Sequence, residues 1–218
     1  PADSLQKMEQ NRTDSRGGSA TKAPKPADAA ARRLPWRPLA SALAGDAMFG
    51  VGYIGYMTFV IALLRERGAS GVQVTAFYAL LGLAVLASSR IWAGLLDRAR
   101  GGGALALRNG LLGLATVLPV LTGAWPVVLA SGLRFGAVFL SVVASTTALV
   151  RHNLPEAQWA AGISAFTIVF AAGQIVGPTV VGWIADGPGG LLRGFAVSAA
   201  ALWLGAALAW RQRPLARS

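Results

Sequence analysis

The chain has 218 residues, of which 54% are hydrophobic and only 13% charged, and its mean hydropathy is +0.52. A soluble domain carries about a quarter charged residues, so lipid is the expected solvent, and the net charge of +11 sits in the polar head, short loops and C-terminus rather than on a nucleic-acid face. The lack of cysteine excludes disulfides, thiolate metal sites and cysteine nucleophiles, and the single histidine, His152, excludes clustered-histidine sites, so no metal and no cofactor is expected.

Residues 1–37 read as a basic, Pro/Ala/Ser-rich disordered cytoplasmic linker or tail. No apolar h-region follows its charges, which excludes a signal peptide, and the chain starts at Pro1 rather than Met, as a fragment would. Residues 38–212 read as a transmembrane domain with six apolar runs, at about 39–64, 72–96, 104–122, 126–150, 159–185 and 191–210, followed by a cytoplasmic tail at 213–218. Each run is near or above the ~20 residues a helix needs to cross ~30 Å of hydrocarbon. Barrel strands would alternate polar and apolar residues, and these runs do not. The fold expected is therefore all-α, a polytopic membrane protein with six transmembrane helices.

The first run carries Gly50-Val51-Gly52-Tyr53-Ile54-Gly55, which formally matches a dinucleotide fingerprint. The match lacks a preceding strand, and the nearest later acid, Glu66, comes too early, so Gly50, Gly52 and Gly55 are assigned to tight helix packing or a hinge. Asp46 lies ~10 Å deep in this run, and Arg90 lies at a similar depth near the end of the second. A charge inside a bilayer needs a partner or water, so an Asp46–Arg90 ion pair is expected, either as a proton-linked gate or as a static packing pair. The fourth run holds Arg134, ~13 Å deep, where it offers a fixed positive charge to an anionic or polar solute or pairs with a neighbour such as Gln174. Tyr53, Tyr56, Thr58, Thr167 and Gln174 are candidates to line the same cavity, or simply to satisfy neighbouring carbonyls. Gly132-x-x-x-Gly136 and Gly173-x-x-x-Gly177 have the four-residue spacing that lets helix backbones approach closely. Pro178, between Gly177 and Gly182 in the fifth run, is expected to kink that helix.

Orientation follows from the cations. With the tail cytoplasmic, that side holds fifteen of the 20 Lys and Arg residues, Arg98, Arg108 and Arg151 among them. The opposite side holds three, and Arg90 and Arg134 lie within spans. Both termini are thus expected in the cytoplasm. Six of the seven tryptophans fall near span ends, at headgroup level.

Together these features resemble the C-terminal half of a major facilitator superfamily transporter, most closely the bacterial YbfB/YjiJ-like group, over roughly residues 40–210. The residues that carry the resemblance are Phe49-Gly50-Val51-Gly52-Tyr53 through Thr58-Phe59, Phe135-Gly136-Ala137-Val138-Phe139, and Phe170-Ala171-Ala172-Gly173-Gln174-Ile175-Val176-Gly177-Pro178. The loop Ala93-Gly94-Leu95-Leu96-Asp97-Arg98-Ala99-Arg100-Gly101 matches the superfamily's G-x-x-x-D-R-x-G-R motif at Asp97 and Arg98, but its leading glycine is one residue late and Arg100-Gly101 is reversed. The resemblance implies that Asp97 holds a neighbouring helix end; an ordinary solvated loop is the alternative. Gly173-x-x-x-Gly177-Pro178 resembles a motif of antiporters that belongs to the matching helix of the other half. The resemblance further implies a proton-coupled secondary transporter of a small solute in a cell inner membrane. Its partners would be lipid, the solute, and a missing six-helix half or second subunit. A channel or scaffold is the competing reading. An intramembrane serine protease would need a buried Ser–His pair, and His152 lies at a span boundary, so no enzyme is expected.

Overall fold

The computed structural model describes residues 34–98 and 100–215, with side chains at all of them except Ser89, Ala93 and 95–98. The basic segment at 1–33 and the last three residues lie outside that range. Six α-helices follow one another: α1 (Trp36–Glu66), α2 (Gly71–Arg98), α3 (Gly103–Leu121), α4 (Trp125–Asn153), α5 (Trp159–Ala185) and α6 (Gly190–Trp210), with one 3-10 turn at Glu156–Gln158. Each is long and apolar enough to cross a membrane. Their outward faces carry large apolar side chains such as Ile175 (75% exposed) and Trp183 (80%), the inverse of a soluble helix's polar outer face. The chain is a multi-pass membrane protein.

Local chemistry sets the turns. At the end of α1, Gly68 takes a left-handed φ of 78°, while Ala69 N–H bonds the Leu64 carbonyl (2.9 Å) and Gly68 N–H bonds that of Arg65 (2.9 Å). This paired closure needs a residue without a Cβ penalty at the left-handed position. Two residues later Ser70 and Gln73 cap α2 reciprocally: Gln73 N–H donates to Ser70 Oγ, and Ser70 N–H donates to Gln73 Oε1. Arg67, in the same turn, reaches to α3 and donates to the carbonyls of Pro119 (2.5 Å) and Thr122 (3.2 Å). Those groups have no helical donors beyond them, so the cation satisfies the negative end of α3.

Glycines set the helix crossings. α1 packs on α6, α5 and α3, while α2 packs chiefly on α4, α3 on α6 and α4, and α5 on α6. A Cβ on Gly50 would lie 2.5 Å from the Phe170 carbonyl, and one on Gly173 would lie 2.5 Å from that of Ala47, so α1 and α5 touch backbone to backbone. Gly45 and Gly205 make the same approach between α1 and α6, a contact not anticipated from sequence. Gly52 and Gly55 face Ser198 and Leu202 of α6, Gly177 faces Val51 and Ile54, and Gly132 and Gly136 receive Phe77, Leu81 and Ala84 of α2. Gly182 differs: a Cβ there would sit 3.5 Å from Phe59, an ordinary contact. Pro178 lies inside an unbroken α5.

One expected contact fails on topology. Asp46 is 3% exposed in α1, whereas Arg90 is exposed on α2, and no ion pair joins them. Consecutive helices were assumed to be neighbours; α2 instead leans on α4. Arg108 is a second correction. Counted above among the cytoplasmic-side cations, it is fully buried within α3. Its Nε donates to Ser141 Oγ (2.9 Å), one terminal nitrogen donates to the Ala104 carbonyl (2.9 Å), and its guanidinium lies 5.0 Å from the Trp92 ring centre. It thereby ties α3 to α4 and to α2, while its other terminal nitrogen is buried without a hydrogen-bond partner.

Candidate functional site

Eight residues of α1, from Asp46 to Tyr53, bring three side chains to one face. Asp46, Phe49 and Tyr53 stand at i, i+3 and i+7, the repeat of a single helical stripe. Around the upper part of that stripe four rings gather. Phe49 stacks on Tyr53 (centroids 5.0 Å apart) and on Phe170 of α5 (5.1 Å), and Tyr53 stacks on Phe139 of α4 (5.1 Å) and Phe170 (5.4 Å). Gln174, one turn beyond Phe170 on α5, donates through its Nε2 to the Tyr53 hydroxyl. Both residues stand near the middle of their helices, the depth at which transporter sites lie.

The polar groups here offer both donors and acceptors. Gln174 donates one amide N–H to Tyr53, which leaves its second N–H to donate and its Oε1 to accept, while the Tyr53 hydroxyl keeps its own proton to donate. Pro178 has no N–H, so the Gln174 main-chain carbonyl four residues earlier has no helical donor. Asp46, about 10 Å along the helix from Tyr53 by its rise, is buried and forms no ion pair with any described residue.

Tyr56 is placed differently from Tyr53. It is fully buried, stacked on Phe135 (4.1 Å) and edge-on to Phe195, and its hydroxyl meets Ser131 Oγ at 2.8 Å. Ser131 gives its own proton to the Ala115 carbonyl (2.7 Å), so Tyr56 is the donor to Ser131. Ala115 needs that proton because Pro119, four residues on, supplies no helical N–H. Tyr56 thus completes a sealed packing chain and is closed to a solute in this conformation.

The remaining sequence candidates are not gathered into one cavity. Arg134 and Thr58 are exposed on α4 and α1, and Thr167 is exposed on α5 with its hydroxyl on the Ile163 carbonyl (2.9 Å). Arg134 and Gln174 form no hydrogen bond with each other; Gln174 instead donates to Tyr53. Asp97 and Arg98 end α2, and their side chains lie outside the described residues. Reading by sequence missed Phe49, Phe139 and Phe170 as site residues, since nothing in one dimension says that three helices bring their rings together. It also missed Asn153, whose amide donates to the Arg100 (2.7 Å) and Leu149 (2.8 Å) carbonyls and whose oxygen accepts the Leu215 N–H (2.6 Å). With Gln212, which accepts from Ser41 Oγ (2.9 Å) and, through its main-chain oxygen, from Gly102 N–H (3.0 Å), it binds the C-terminal segment across that end of the bundle.

Comparison with known proteins places the chain in a family. A family model described as "Uncharacterised MFS-type transporter YbfB" matches residues 14–210. No curated protein and no solved structure matches the chain.

Proposed function

We propose a function for this chain on one premise: it belongs to the YbfB-type family of major facilitator superfamily transporters, and it is a membrane transporter. On our reading it is one six-helix half of a secondary transporter that moves a small solute by alternating access, driven by a proton gradient. The other six helices come from a further stretch of the same polypeptide or from a second subunit. Both termini face the cytoplasm of a bacterial inner membrane, by the distribution of Lys and Arg.

The observation that carries the reading is the Tyr53–Gln174 contact among Phe49, Phe139 and Phe170, at mid-depth between α1, α4 and α5. Polar groups at that depth are costly unless paired, and those that face a bundle interior commonly mark a path through the membrane. The glycine-lined crossing of α1 and α5 supports it, because backbones in direct contact can slide with little side-chain repacking. Arg134, Thr58 and Thr167 support a face covered by protein or water, since an arginine at the centre of lipid costs ~2.5–3.5 kcal/mol on insertion scales. We assign Asp46 the proton, and Asp97 and Arg98 the loop contact that the family motif implies.

The test is flux in proteoliposomes of the full-length protein under an imposed proton gradient. Saturable, gradient-dependent accumulation that falls at least tenfold in Gln174→Ala is the expected result. Flux that rises linearly with solute and ignores the gradient would instead identify a channel.

A further inference from the structure

The turn that joins α5 to α6 holds a cavity of about 360 Å³, lined by Trp183, Ile184, Asp186, Gly187, Pro188 and Arg193. That size falls within the roughly 300–1,000 Å³ of small-molecule sites. Trp183 stands in the last turn of α5 and is 80% exposed, at the level where an indole meets lipid headgroups. With Ile184 and Pro188 it makes most of the wall apolar. The two charged side chains line the same cavity without pairing. Gly189, at a left-handed φ of 95°, turns the chain so that Arg193 comes back over the loop and donates one N–H to the Pro188 carbonyl (3.4 Å). The rest of its guanidinium and the whole Asp186 carboxylate have no hydrogen-bond or ion-pair partner among the described residues. Neither charge serves its own helix. Asp186 is the C-cap of α5, the negative end of that helix dipole, and Arg193 lies in the first turn of α6, at the positive end. Each charge thus sits where its helix repels it, and each is relieved by a ligand group of opposite sign.

We infer that this cavity holds the headgroup of a membrane phospholipid that carries a primary ammonium. Its phosphate lies on Arg193, its ammonium on Asp186, and its glycerol end against Trp183 and Ile184. The planar guanidinium fork matches phosphate oxygens, and a primary ammonium brings N–H donors to the carboxylate. A choline headgroup has the same two charges but no N–H, and a glycerol headgroup leaves Asp186 facing a net anion. The indole and Ile184 end a membrane span, where acyl chains run alongside, so the ligand is a lipid rather than a soluble zwitterion. On the orientation proposed above the lipid belongs to the outer leaflet. The binding itself goes beyond the transport reading and does not depend on it.

Short-chain lipids with the same dihexanoyl tails and different headgroups test this: phosphatidylethanolamine, phosphatidylcholine and phosphatidylglycerol, with chain-free glycerophosphoethanolamine beside them. Each is titrated into purified full-length protein in detergent, read by native mass spectrometry and by the shift in melting temperature. The ethanolamine lipid is expected to bind saturably, at least fivefold more tightly than the other two lipids and at least tenfold more tightly than glycerophosphoethanolamine. Arg193→Gln should weaken it at least fivefold and Trp183→Ala several-fold. Asp186→Asn should erase the preference, so that the glycerol lipid binds at least as tightly as the ethanolamine lipid. Arg65→Gln removes a cation at the same end of the bundle but outside the cavity, and should change nothing. Equal binding of the three lipids, a preference that survives Asp186→Asn and Arg193→Gln, or no retained lipid on protein that melts cooperatively would each overturn the inference. Glycerophosphoethanolamine binding as tightly as the lipid would also overturn it, and would identify a soluble ligand. If the lipid binds as stated but no solute crosses proteoliposomes under any gradient, the lipid site stands and the transport reading fails.

Discussion

Adding one methyl group at Gly173 should unseat α5 from α1. The new Cβ would lie 2.5 Å from the Ala47 carbonyl oxygen and 3.0 Å from both Gly50 Cα and Val51 N. A carbon rests against a carbonyl oxygen at about 3.3–3.6 Å, so the helices must part by roughly 0.8–1 Å locally. Neither side can yield by rotating a side chain, because all three contacts are backbone atoms. Overpacking of this kind costs about 1–3 kcal/mol. At roughly 2–4 °C per kcal/mol for a domain of this size, Gly173→Ala should lower the melting temperature by about 2–12 °C. Gly82→Ala is the internal control: it makes the same chemical change inside α2, where nothing lies within 4 Å of the added carbon. It should leave the melting temperature unchanged or raise it by up to about 4 °C, since alanine is the better helix former. Thermal unfolding of both variants in one detergent, followed by fluorescence, compares them directly. Equal melting of Gly173→Ala and Gly82→Ala would refute the backbone-contact account of the α1–α5 crossing.

Other outcomes follow from the hydrogen-bond accounting. Tyr56→Phe removes a donor but leaves Ser131 on the Ala115 carbonyl, and should cost about 0.5–1.5 kcal/mol; Ser131→Ala strands both the carbonyl and the tyrosine, and should cost about 2–4 kcal/mol in the same melting assay. Pro119→Ala in the Ser131→Ala background should recover part of that loss, because it returns an N–H to Ala115. Asn153→Ala deletes three hydrogen bonds, one of them to Leu215 of the C-terminal segment, and should speed proteolysis after Trp210 at least several-fold, read by mass spectrometry, while the six helices remain folded. Arg67→Ala should cost about 1–3 kcal/mol by exposing two α3 carbonyls, and Arg67→Lys should restore only part, since an ammonium is a compact point charge rather than a planar fork.

The six helices and the family were legible because the length of an apolar run is a one-dimensional property, read off without knowing which helix touches which. Glycine spacing was legible for a similar reason: Gly173-x-x-x-Gly177 marks one face of one helix, whatever packs on it. What failed required adjacency. Asp46 and Arg90 were matched because their helices are consecutive, yet α2 packs on α4 and leaves Arg90 at the surface. Arg108 was set with the loop cations since it lies close to the start of an apolar run, and only the arrival of Trp92 and Ser141 from other helices explains its burial. Tyr53 and Tyr56 share a broad face of α1 as their spacing implies, but the 60° between them sends one to Gln174 and the other to Ser131.

Alternating access is the central claim, and side-selective labelling tests it most directly. The chain contains no cysteine, so single cysteines placed at Ala44 and at Thr58, on opposite sides of the Tyr53 level of α1, report without background from this half. In sealed, oriented proteoliposomes a membrane-impermeant maleimide is offered from one side at a time, with and without a proton gradient. The account predicts reciprocal change: conditions that raise labelling at Ala44→Cys from the cytoplasmic side lower it at Thr58→Cys from the other side, and the reverse. Labelling of both positions at once, with no response of either to the gradient, would contradict it and describe an open pore or a static bundle.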